Sequence, residues 1–407
     1  MLNIIWAGFF LLAGAAAVCQ SFDGNWDVWP QLVNSLFASA ESGFKIALNL
    51  TGLLCFWLGC MKIAEKSGLT ELLAKALYPL FYRIMPDVPR QSPAFGSMVM
   101  NIAANILGLD NAATPMGLKA MEQLQQTNPH KDRASNAQVL FMVINSSSVT
   151  LIPITILMYR YQMGSANPAA VFIPILLATS VSTLTGFLAT ALWQKINIFN
   201  KVVLAYLGAG ILFTGALAWG FASLDEDART KVSYAASNLI LFALVLSFIV
   251  SGLIKKLNVY EVFIEGAKDG FKIAVQIIPY LVAMLAAIGV FRTAGGLDYI
   301  CSAVAWFFEH LGINTDFVAA LPTALMKPLS GSGARAMMLD TFAAYGVDSF
   351  AGFTASIIQG STETTFYVLA VYFGAVKISK TGAALPLALL ADFAGISAAI
   401  VLAYLFY

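Results

Sequence analysis

The chain has 407 residues, of which 59% are apolar and only 11% charged, with a net charge of +1 and a mean hydropathy of +0.77. Soluble proteins carry about 25% charged residues, so this chain lacks the charge to dress a water-facing surface, which excludes disorder, a coiled coil and an ordinary soluble enzyme together. A balance of +1 makes no basic face for nucleic acid either.

What remains is a membrane protein crossing the bilayer many times. A helix spans the ~30 Å of hydrocarbon with about 20 mostly apolar residues. In chain order, the stretches 2–20, 47–64, 136–161, 170–194, 201–222, 233–254, 273–291, 350–375 and 384–406 qualify. The first has no Lys or Arg before it and no small-residue cleavage site, so it reads as an uncleaved helix. Apolar stretches near 69–85, 92–108, 112–125, 296–311, 315–329 and 332–345 are too short, or too interrupted by Gly and Pro, to cross alone. Cys19, Cys55, Cys60 and Cys301 all sit in apolar runs and read as small hydrophobes. With His130 and His310 far apart, no metal site and no cofactor is expected.

The chain repeats itself. Gly43-Phe44-Lys45-Ile46-Ala47 recurs as Gly270-Phe271-Lys272-Ile273-Ala274. Each copy runs into a spanning segment, a short Gly-led helix ending in aromatics, a Gly/Pro/polar-broken stretch, and a long helix with hydroxyls. Those hydroxyls are Ser146, Ser147, Ser148 and Thr150 in one copy, and Ser361, Thr362, Thr364 and Thr365 in the other. Repeat one covers about 28–195 within a first half of 1–200. Residues 201–232 join it to a second half, 233–407, whose repeat covers about 257–407.

Lys and Arg collect on cytoplasmic loops. Ahead of repeat one, Lys45 stands against Asp23, Asp27 and Glu41, whereas the matching stretch ahead of repeat two holds Lys255, Lys256, Lys268 and Lys272. One helix later the bias reverses, with Lys62, Lys66, Lys75, Arg83 and Arg90 against Arg292. The two copies are therefore expected upside down to each other in the membrane, with the N-terminus in the cytoplasm and Asp225-Glu226-Asp227 at an outer turn. The fold class is an all-α polytopic membrane protein of two inverted repeats, its broken or re-entrant helices meeting near the bilayer midplane. Secondary transporters recurrently use this design.

Non-helical backbone survives in a bilayer only where protein or a watery cavity covers it. Each half offers one such stretch. In the first, Asn101 and Asn105 share a helix face, Gly108-Leu109-Asp110-Asn111 reads as a break, and Asp110 or Asn111 could cap a second half-helix with Pro115 in its first turn. Thr114 completes this polar set; the alternative is a satisfied hydrogen-bond cluster between helices. In the second, Ser330-Gly331-Ser332-Gly333 opens a helix as a nest of backbone N–H groups suited to an anion, flanked by Lys327 and Arg335. The alternative there is an interfacial loop with two snorkelling cations. Glu363, within Ser361-Thr362-Glu363-Thr364-Thr365, is a carboxyl inside an otherwise apolar helix of about 350–375. It is expected either to pair with Lys327 or Arg335 or to stay protonated, as a coupling site or a structural one. The polar run 123–133 reads as a solvated loop.

Motifs in both halves are familiar. Gly-Leu-Asp-Asn-Ala-Ala-Thr-Pro-Met-Gly-Leu-Lys-Ala-Met from Gly108 resembles the signature of spore-maturation protein A. Val259-Tyr260-Glu261, Glu265 through Phe271, Ile278-Pro279-Tyr280 through Met284, and Gly360 through Tyr367 resemble spore-maturation protein B. The resemblance covers nearly the whole chain, an A-like half fused to a B-like half, and implies a bacterial inner-membrane protein carrying the nucleoside recognition, or Gate, domain. It carries over no nucleoside-contact residue, since those motifs do not match here position by position.

Together these readings give an expectation of a secondary transporter, not an enzyme. A small polar solute, anionic, zwitterionic or nucleoside-like, would be held by Asn101, Asn105, Asp110, Asn111 and Thr114 with Lys327, Ser330, Ser332, Arg335, Ser361, Thr362, Glu363 and Thr364. H+ or Na+ would serve as coupling ion. The lipid bilayer and the solute are the expected partners, without nucleic acid, and the Gly/Ala-rich helices also suit a homo-oligomer. The rival expectations are a non-transporting scaffold or receptor in envelope or spore maturation, and a protein handling lipid headgroups.

Overall fold

The computed structural model describes residues 2–107, 110–147, 150, 153–224 and 226–407. Their regular structure is helical, apart from one isolated bridge between Arg133 and Lys380. In chain order the helices are α1 (Leu2–Phe22), α2 (Val28–Lys66), α3 (Leu69–Ile84), α4 (Ala94–Ile106), α5 (Asp110–Thr127), α6 (Asn136–Ser147), α7 (Ile154–Gln162), α8 (Phe172–Gln194) and α9 (Lys201–Ala222). Then come α10 (Glu226–Ile254), α11 (Val259–Thr293), α12 (Gly296–His310), α13 (Leu321–Met326), α14 (Gly331–Tyr345), α15 (Phe350–Ser361), α16 (Thr365–Ala375) and α17 (Ala384–Phe406). Seven of them are long and apolar enough to cross a membrane: α1, α2, α8, α9, α10, α11 and α17. Almost nothing of α9 is buried, as suits a helix apolar on every side that faces lipid, and Asn200 caps it by accepting from Val202 N at 3.0 Å.

Two of the expected spans are not continuous. The stretch 136–161 divides into α6 and α7, and 350–375 into α15 and α16. Pro153 stands just before α7 and disfavours helix at the residue ahead of it. Thr364 is extended (φ −85°, ψ 91°) as the cap of α16. Hydroxyls at both breaks compete with the helical ladder for backbone partners. Two smaller expectations also change. Pro115 lies well inside α5, beyond its first turn. The polar run from 123 begins as the end of α5, and Asn128 is buried, donating to Arg133 O, Gln125 and Gln138. Gly108, Leu109, Ser148 and Asp225 lie outside the described residues, as do the side chains of Asp110, Asn111 and Asp227.

The chain folds as two compact units that interleave its sequence. Unit 1 comprises Met1–Gly59, Thr155–Pro168 and Phe263–Gln359; unit 2 comprises Cys60–Ile154, Ala169–Val262 and Gly360–Tyr407. Each broken helix therefore contributes one piece to each unit, α7 and α15 to unit 1, α6 and α16 to unit 2.

Within unit 1, the repeated pentapeptides meet each other's helices reciprocally. A side chain on Gly43 would stand 3.0 Å from the backbone of Val282, and one on Gly270 would stand 2.7 Å from the backbone of Cys55. Val282 follows Gly270 by the same number of residues as Cys55 follows Gly43, so α2 and α11 run antiparallel where they cross. Glycine at both positions is what lets the two backbones touch. The series α2 to α8 matches α11 to α17 in order, including 12-residue α6 and α15 and 23-residue α8 and α17. Gly68 and Gly295, ahead of α3 and α12, share a φ of +83°.

Within unit 2, α17 packs along α8 and α6, while α4 and α5 form a hairpin resting on α3. Its core is apolar, built on residues such as Phe81, Met98, Met121, Leu140, Phe141 and Phe373.

Candidate functional site

The hairpin α4–α5 carries the two predicted asparagines into unit 2. Asn101 is fully buried; its Nδ2 donates to Ala113 O at 2.8 Å and to Tyr372 Oη at 3.1 Å. Tyr372 in turn donates to Asn145 Oδ1 at 3.1 Å, and Asn105 Nδ2 donates to the same oxygen at 2.9 Å. Asn145 Nδ2 ends the chain on Phe141 O at 2.8 Å. Four elements, α4, α5, α6 and α16, are thus tied by one directional network. The Tyr372 ring stacks on Phe141, with centroids 5.7 Å apart and planes 7° from parallel. Asn101 Oδ1 has no hydrogen-bond partner among the described residues, an expensive state for a buried acceptor and one that a ligand donor or water relieves.

Helix α5 reaches this network only because residue 117 is glycine. A Cβ there would stand 2.1 Å from Tyr372 Oη. Thr114, three residues earlier on α5, is half-buried.

The second set of predicted residues surrounds the joint between α15 and α16. Ser361, Thr362 and Thr364 are buried, Glu363 is half-buried, and Glu363 N donates to Ser146 O at 2.8 Å. The break at α15–α16 is thereby stitched to the end of α6, beside the other break. Just beyond, Thr365 Oγ1 donates to Asp392 Oδ2 at 2.7 Å.

Unit 1 holds the remaining predicted residues. Ser330 caps α14, its Oγ accepting from Gly333 N at 3.1 Å, and Ser332 Oγ lies 3.2 Å from Ser330 Oγ. Lys327 is buried at the end of α13. Arg335, one turn into α14, donates through Nε to Gly331 O at 3.2 Å and lies beside the Tyr159 phenol.

Structure brings Asn101, Asn105, Ser361, Thr362, Glu363 and Thr364 into one unit, with Lys327, Ser330, Ser332 and Arg335 in the other. It adds four residues that sequence reasoning passed over: Asn145, Tyr372, Asp392 and Arg160. Arg160 is buried in α7 and donates to Val347 O, Ser356 Oγ, Ser165 Oγ and Asp348. Asp392 and Arg160 carried a usable signal, since each is an ionisable residue in an apolar stretch.

Comparison with known proteins bears on both halves of the chain. A family model described as nucleoside recognition matches residues 47–161 and 274–379. Each matched segment opens on the alanine that closes a repeated pentapeptide. Spore maturation protein B of Bacillus subtilis (strain 168) is 51% identical over 156 residues, 38% of this chain and 86% of that protein. Spore maturation protein A of the same organism is 36% identical over 182 residues, 45% of this chain and 90% of that protein. No solved structure matches.

Proposed function

The chain belongs to the nucleoside recognition (Gate) family, and on that premise we propose that it is a secondary transporter of a small polar solute, carrying no chemistry of its own, in a bacterial inner membrane with its N-terminus in the cytoplasm. The observation that carries this reading is the meeting of two broken helices at Glu363 N and Ser146 O, beside a buried network of Asn101, Tyr372, Asn145 and Asn105. Broken helices in corresponding positions of two repeats are the best general pointer to a transport site. The antiparallel crossing of α2 and α11 supports inverted topology, in line with the alternating basic flanks.

In this reading the amides and hydroxyls of unit 2 orient the solute, and Glu363 couples a proton. The cap of α14 with Ser330, Ser332 and Lys327 gives unit 1 anion-binding chemistry. The solute is then an anionic or zwitterionic metabolite, or a nucleoside-like compound.

Protein in proteoliposomes tests this, with uptake measured for nucleosides, dicarboxylates, amino acids and dipeptides. A substrate whose flux is lost in Asn105→Ala, or in Lys327→Ala, supports the reading. Absence of flux for every class overturns it. A second reading follows from the names of the two relatives: a non-transporting scaffold or receptor that serves spore or envelope maturation. Tight solute binding without flux would favour it.

A further inference from the structure

Helix α17 is 23 residues long and carries one charged residue, Asp392, which is 1% exposed. A carboxyl in mid-span is costly in a bilayer and is retained where it does something. Its surroundings within unit 2 are oxygen-rich. Thr365 gives its hydroxyl hydrogen to Asp392 Oδ2 at 2.7 Å, which leaves the lone pairs of that hydroxyl available to a cation. Three residues on along the same face is Gly395, where a Cβ would lie 2.7 Å from Thr362 Cγ2, 2.8 Å from Ser182 Cβ and 3.1 Å from Ser361 O. The missing side chain thus lets the end of α15 settle against α17 beside the acid. Thr362 Oγ1 is buried there with no hydrogen-bond partner among the described residues.

We propose that Asp392, Thr365, Thr362 and the Ser361 carbonyl form a binding site for a sodium ion. The donor set decides the ligand class. Every group is a hard oxygen, which excludes soft metals, and a single carboxylate balances one positive charge rather than two. Main-chain carbonyls at the ends of half-helices are the general means by which broken helices hold a small cation, and a carbonyl oxygen has two lone pairs. Helix α17 packs on α6, α8 and α16 and, at its far end, meets α9 through Phe221 against Phe406. Neither α6 nor α8 brings a charged side chain; α16 and its joint bring Glu363, Tyr367 and Tyr372. The existence of this site does not depend on the transport reading.

The test is sodium binding to the full-length protein in detergent, with no solute and no flux. Sodium chloride is exchanged against choline chloride at constant ionic strength and neutral pH while the melting midpoint is read, and sodium-22 binding is measured by dialysis. Wild-type protein is expected to show a saturable rise with sodium. Asp392→Asn should lose it, Thr365→Val should weaken it by about tenfold, and Glu363→Gln should keep it. If Asp392→Asn does not fold, Thr365→Val and Gly395→Ala carry the test, and unchanged sodium affinity in both overturns the site. It is likewise overturned by a wild type indifferent to sodium, or by one that acidification alone stabilises. Because binding is read directly, a failure of transport leaves this result standing, and the reverse holds too.

Discussion

The backbone N–H of Glu363 donates to the carbonyl of Ser146 at 2.8 Å, joining two helix breaks that lie far apart in the sequence. The bond uses main-chain groups, so the Glu363 side chain is not needed to hold the joint together. Replacing Glu363 by Gln should therefore leave the melting midpoint close to wild type while removing the pH dependence of solute flux. Flux measured across a pH series in proteoliposomes checks this. A variant whose flux still follows pH as the wild type does would remove Glu363 from any coupling role.

Gly117 and Tyr372 are matched in shape. Alanine at 117 would drive a methyl group into Tyr372 Oη, breaking the bonds of that hydroxyl to Asn101 and Asn145. Overpacking of this kind costs ~1–3 kcal/mol. Combining Gly117→Ala with Tyr372→Leu should recover part of the loss, because the clash is relieved from the other side. A double-mutant cycle on unfolding stability in detergent measures the coupling, and strictly additive losses would show that the two residues do not constrain each other.

Most helices could be read from the sequence because Gly and Pro punctuate this chain: the short helices begin and end where those residues stand, as at Gly68 and Gly295. The two breaks could not be read in the same way. Hydroxyl residues are nearly neutral in hydropathy, so 136–161 and 350–375 average to convincing spans, and the partner that stabilises the second break comes from another helix. Glu363 stood out because polar residues flank it. Asp392, alone in an apolar run, gave the same signal without that company. The network around Tyr372 was hidden for a third reason, since a tyrosine in an apolar helix is ordinary until an asparagine from a distant hairpin is found against its hydroxyl.

At the polar turn after α5, Lys380 Nζ lies 2.8 Å from Asp132 Oδ2, and this ammonium holds the Asp132 carboxyl below its ordinary range. A depressed native value means that the pair contributes above the ordinary aspartate range and is lost as pH falls through the lowered one. Both side chains are exposed, so the contribution is small and screened by salt. The segments are also joined through their backbones, with Ser379 N and Lys380 N donating to Asp132 O and Ala134 N to Lys380 O. Lys380→Ala should accordingly melt like wild type at neutral pH. A marked loss of stability in that variant, seen at low salt and abolished at high salt, would mean that the pair matters more than its exposure implies.

Arg160 and Asp348 are paired at 2.7 Å but are unequally exposed, with side chains 1% and 43% accessible. The consequences of removing each should differ. Without Asp348, the guanidinium is left buried with its charge uncompensated, a change that costs ~3–5 kcal/mol when a pair is fully buried and somewhat less with one partner half in water. Without Arg160, the carboxylate can turn to solvent, still accepting from Ala166 N at 2.7 Å and from Ser165 Oγ. Arg160→Met keeps much of the side-chain volume and gives up hydrogen bonds to Val347 O, Ser356 Oγ and Ser165 Oγ, a loss of about 1–3 kcal/mol. Asp348→Ala is thus expected to be the more damaging of the two, although its side chain is the more exposed. Chemical unfolding of both variants in the same detergent decides it, and the opposite order would mean that packing around Arg160 outweighs its charge.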